Sequence, residues 1–136
     1  MNPNYIYTIT LYNCIKAKDS VDKKDTWQRT VIQNCFYKAK EAVVQDGEGL
    51  SKANTYTVRI QESAAYRKYQ DYCREPEGHF TISAGDIVIL GECKDEINEE
   101  LPAAKLLNRY KPDAFMVSVF SDNTKYFAGK HYKLGG

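Results

Sequence analysis

Cys73 and His79 lie six positions apart and form the one pair whose types and spacing suggest nucleophilic chemistry. A thiol beside an imidazole can be activated for attack, provided that something orients the base and stabilises the developing oxyanion. No glycine elbow surrounds Cys73 and no oxyanion motif accompanies it, so the pair reads as a strand-edge histidine beside a buried thiol. Asp46-Gly-Glu-Gly is acidic and glycine-rich but lacks the spacing of a calcium loop. Asp19, Asp22 and Asp25 recur every three residues, but Lys18, Lys23 and Lys24 stand among them, which is the pattern of a solvated mixed-sign surface. The cysteines, Cys14, Cys35, Cys73 and Cys93, form no Cys-x-x-Cys pair and no zinc-like cluster with His79 or His131. Nucleotide-binding glycine loops and metalloprotease motifs are missing as well. The expectation is a chain with no catalytic, cofactor-binding or metal residues.

The elements that would hold any site follow from periodicity. In residues 5–12 Tyr5, Tyr7, Ile9 and Leu11 share one face and Ile6, Thr8, Thr10 and Tyr12 the other, a strand pattern. Residues 27–38 are rich in β-branched and aromatic types, which disfavour helix. In residues 54–60 Tyr56, Val58 and Ile60 point one way and Thr55, Thr57 and Arg59 the other. Between these two strands, residues 45–53 read as a loop, since Gly47 and Gly49 tolerate positive φ. Tyr66, Tyr69 and Cys73 are spaced as on one side of a short helix or helical turn. Ala103, Leu106, Leu107 and Tyr110 give an apolar stripe over a helix at 100–110. Strands are expected at 5–13, 27–38, 54–61, 79–84, 86–91, 113–120 and 126–134. The fold class is mainly β: a small antiparallel β-barrel with one short helix, as a single domain over 1–136.

Composition restricts the function classes. The chain has 136 residues, enough for one core, with 43% hydrophobic and 27% charged residues. With 19 Lys+Arg against 18 Asp+Glu, the net charge of +1 gives no support to a dedicated nucleic-acid binder. No apolar run approaches the ~20 residues of a membrane span. The first residues show no secretory signal, so the cysteines read as free thiols. Eleven tyrosines against one Trp and five Phe favour half-buried surfaces, either strands or interfaces.

Several segments taken in order resemble a known family. They are Thr10-Leu-Tyr-Asn, Trp27-x-x-Thr-Val-Ile and Thr57-Val-Arg-Ile, then Gly78-His-Phe-Thr-Ile-x-x-Gly-Asp-Ile-Val-Ile-x-Gly-Glu, Val119-Phe-Ser-Asp-Asn and His131-Tyr-Lys-Leu-Gly-Gly. This pattern resembles the minor capsid or head-closure (head-completion, stopper-like) neck proteins of long-tailed phages and prophages. The resemblance implies structural work with no reaction. Such a β-barrel assembles with itself as a ring, a dodecamer or hexamer, in the virion neck. It would contact the portal or adaptor protein and the tail-completion protein, with packaged DNA nearby but no sequence-specific binding and no membrane. Assembly would take place in the bacterial host cytoplasm. On this resemblance Asp46, Gly47, Glu48 and Gly49 form a channel loop, and the tyrosine-rich segment offers Tyr66, Tyr69 and Tyr72 as interface residues. Two alternatives remain open: a small nucleic-acid-binding barrel using Lys38, Lys40, Arg59, Lys125, Lys130 and Lys133, or a phage-encoded inhibitor of a host defence enzyme.

Overall fold

The computed structural model describes residues 5–20, 23–46, 49–125 and 130–136, with backbone alone over 41–46 and 49–54. Seven strands form one antiparallel sheet: β1 Tyr7–Ile15, β2 Thr26–Asp46, β3 Gly49–Gln61, β4 Ile87–Leu90, β5 Ala114–Met116, β6 Val119–Asn123 and β7 His131–Gly135. Their spatial order is β5-β4-β1-β2-β3-β7-β6. Two helices accompany them, α1 Tyr69–Arg74 and α2 Ala103–Tyr110, along with a 3₁₀ turn at Ala17–Asp19.

β2 is long because it serves two partners. Its first part pairs with β1, from Thr26 opposite Ile15 to Cys35 opposite Tyr7. Its second part pairs with β3, from Phe36 to Asp46. The register slips near the end of the first part, between Ile32 and Cys35, where two steps on β1 oppose three on β2. The extra residue falls beside Asn34, which sits at φ 58. Asparagine tolerates this left-handed conformation better than most residues, and a bulge bends and twists its strand. The sheet curls at this corner.

The curl brings the two edges close together. β5 lies at one edge and β6 at the other, yet only Val117 and Ser118 separate them in the chain. The Val117 N–H donates to the Asp86 carbonyl (2.7 Å), and the Ser118 N–H donates to the Gly135 carbonyl (2.8 Å). The link thus spans from the β4 side to the β7 side. β5 and β6 do not pair with each other, so the sheet is an open, curled half-barrel, where the sequence suggested a closed barrel. The expected single strand at 113–120 breaks at Val117–Ser118 because its halves serve opposite edges. The expected strand at 79–84 is also absent. Phe80 makes one isolated bridge to Tyr66, and residues 81–83 are irregular because their polar groups bond a side chain, described below. Nor is there a single helix: α1 forms at the tyrosine-rich segment. The last strand is seen as β7, and residues 126–129 of the expected span lie outside the described residues.

The concave face holds the main core. Ile9, Leu11, Val58, Ile60, Val88 and Leu134 are all at or below 1% exposure. Tyr56 stacks on Phe115 with ring centroids 4.7 Å apart and planes 8° from parallel. The alternation read at 54–60 holds, since Tyr56, Val58 and Ile60 are all buried. The convex face of β1, β4 and β5 is covered by α2, whose Leu106 is fully buried among Tyr12, Ile87, Ile89, Cys93 and Ala114. β1 is therefore covered on both sides, which explains why Tyr12 is buried although it shares no parity with Leu11. Gly135 is confined: a Cβ there would meet the Tyr56 carbonyl oxygen at 2.8 Å.

Candidate assembly surface

The Cys73–His79 pair is not assembled. The His79 Nδ1 lies 3.1 Å from the Glu75 carbonyl oxygen, and the Cys73 thiol lies beside the Tyr69 hydroxyl. All four cysteines are free; Cys14, Cys35 and Cys93 are buried. Burial pushes the Cys35 thiol up to about 12 and raises Cys14 as well, which removes the reactive thiolate. Among the described residues no group of three or more His, Cys, Asp or Glu side chains could hold a metal ion.

The polar centre that does form was missed in the sequence. Asp86 is 1% exposed. Its Oδ1 accepts from the Cys14 N–H (3.1 Å), and its Oδ2 accepts from the Ser83 N–H (2.9 Å) and from Asn13 Nδ2 (2.9 Å). Asn13 Nδ2 also donates to the Thr81 carbonyl (2.5 Å), and Asn13 Oδ1 accepts from the Thr81 N–H (3.2 Å). Gly85, at φ 98, permits the turn in which the Asp86 N–H donates to the Ser83 carbonyl (3.1 Å). The carboxylate thus ties the end of β1 to the segment entering β4. The sequence signal was available: a lone acid set directly before the apolar run Ile87–Leu90.

Burial raises the Asp86 carboxyl from 3.8 to about 6, with the three hydrogen bonds and Lys16 pulling the other way. The folded chain therefore binds this proton more readily than the unfolded chain. The contribution of Asp86 to stability should rise by about 2 kcal/mol as pH falls from about 7.5 to about 4.5. Urea midpoints at constant ionic strength measure this, and the rise should vanish in Asp86→Asn. A rise that persists unchanged in that variant would assign it elsewhere.

The three tyrosines have different environments. Tyr72 is fully buried, so it offers no surface to a partner, contrary to the interface expectation. Tyr69 is half-buried; its hydroxyl donates to Asp19 Oδ2 (2.7 Å) and accepts from the Lys16 N–H (3.0 Å). Tyr66 stacks on Tyr132 with centroids 4.3 Å apart and on Phe120 at 6.2 Å. These rings tie the α1 segment to β6 and β7.

The largest departure from the sequence reading is at the expected loop over 45–53. Pairing of β2 with β3 continues to Asp46 opposite Gly49. Gly47 and Glu48, the centre of the expected channel loop, lie outside the described residues, while Asp46 and Gly49 are strand ends. β1 pairs with β2 only as far as Cys35, and β7 pairs with β3 only from Thr57. Seven pairs, Lys40 opposite Thr55 through Asp46 opposite Gly49, therefore form a two-stranded arm extending about 20 Å beyond the rest of the sheet.

No curated protein and no solved structure matches the chain. A family of unknown function, DUF6751, matches residues 5–136, and the chain belongs to that family.

Proposed function

We propose that the chain is a head-closure, stopper-like subunit of a tailed-phage neck. In this reading it assembles as a ring that joins the portal or its adaptor to the tail and helps to retain packaged DNA. The observation that carries the reading beyond the sequence resemblance is the β2–β3 arm. A ring subunit needs a wall and a segment that reaches past the wall into the lumen. The half-barrel, with a core on its concave face and α2 on its convex face, supplies the wall. The arm supplies the reach, with Asp46 and Gly49 at its far end. An acidic tip repels DNA phosphates, so the channel is narrowed without adhesion.

Disrupting the gene in the phage that encodes this chain tests the reading. Heads should package DNA, lose it on purification and carry no tails, and purified protein added to the lysate should restore DNA retention. DNA-filled, tailed particles formed without the chain would overturn it.

A further inference from the structure

Two backbone ladders without a strand partner among the described residues bear on assembly. The first is the outer edge of β6, which pairs among the described residues with β7 alone. Soluble proteins protect such edges with charges, prolines or bulges, because an open edge templates pairing with another chain. Here the protection is slight: β6 carries one charge, Asp122, and no proline. β6 itself reads Val-Phe-Ser-Asp-Asn, and its first three residues are uncharged. On this strand Val119 is 64% exposed and Phe120 36%. A thinly protected edge that carries exposed apolar side chains marks an interaction surface.

The second ladder is the arm. A two-stranded ribbon is at best marginally stable in water, so an arm of seven pairs calls for a third strand or a surface to lie on. Its outer edges, from Lys40 on β2 and from Thr55 on β3, have no strand partner among the described residues.

We infer that the β6 edge of one subunit takes the β2–β3 arm of a second copy of this chain as an added strand. The five residues of β6 extend about 17 Å, within the reach of the arm. The exposed Lys38 and Lys40 at the base of the arm are opposite in sign to the exposed Asp122, which lies on β6. Pairing β6 with β6 of a second copy would close one ladder but leave the arm unsupported; arm on edge satisfies both. The contact is head-to-tail, because arm and edge are different surfaces, and such contacts close into rings when the rotation permits. The inference rests on the ring reading for its choice of occupant and refines it: the arm lies along the neighbour's β6 in the ring wall, and its tip, at Asp46 and Gly49, is the part left to face the channel.

The experiment places a photo-crosslinking benzoylphenylalanine at position 119 of the full chain and maps the adducts by mass spectrometry alongside native mass measurements. Crosslinks should run from 119 to residues 40–55 of another copy. Val119→Lys, at a position already exposed to solvent, should leave the circular dichroism spectrum unchanged and weaken self-association at least tenfold. Crosslinks to β6 of a second copy would overturn the inference in favour of a two-fold dimer. A monomer without crosslinks at every concentration would also overturn it. Arm-to-edge crosslinks in a protein whose gene disruption leaves virions intact would defeat the neck reading and leave this inference standing.

Discussion

Asp86→Ala is expected to destabilise the fold by roughly 2–5 kcal/mol at neutral pH. The substitution leaves three donors without an acceptor: the buried Cys14 N–H and Asn13 Nδ2 hydrogen, and the partly buried Ser83 N–H. Each orphaned donor costs about 1–3 kcal/mol. Against this, the variant is relieved of an ionised carboxylate held in a buried site, the cause that lifts its pKa to about 6. Lowering the pH removes that relief, because the native carboxyl then takes up its proton. The loss should therefore be greater near pH 5 than near pH 7.5, by about 1–2 kcal/mol. Urea denaturation of both proteins at the two pH values measures it. A loss under about 1 kcal/mol at both would show that Asp86 does not hold β1 to the segment entering β4.

Excising the arm is expected to separate assembly from folding. Replacing residues 41–54 with an Asn-Gly turn keeps every pairing of β2 with β1 and of β3 with β7. The urea midpoint should move little, while self-association should fall at least a hundredfold and the neck should fail to form. Size-exclusion chromatography with light scattering, run beside the denaturation curve, reads both. A truncated protein that still assembles would remove the arm from the account.

Legibility in the sequence tracked how locally each feature is determined. The strand at Tyr56–Ile60 and the apolar stripe of α2 were readable because side-chain period alone decides them. Leu106 is the buried centre of that stripe, as its spacing required. The break at Val117–Ser118 was not readable, because it arises from two partners at opposite sheet edges and nothing in the segment interrupts strand propensity. The arm was read as a loop because Gly47 and Gly49 drew a turn across residues that in fact pair up to Asp46 and Gly49. Tyr72 was grouped with Tyr66 and Tyr69 by composition, although one residue's shift around a helix decides between core and surface. Asp86 and Asn13 lie 73 positions apart, and no local pattern links such a pair.

Imaging the neck of the purified virion by cryo-electron microscopy tests the central claim most directly. The account predicts a ring of this chain between portal or adaptor and tail, with half-barrels in the wall and β2–β3 arms lying on neighbouring subunits with their tips towards the channel. Virions whose neck density accommodates no copy of this chain, with the protein also absent from their mass spectrum, would contradict it.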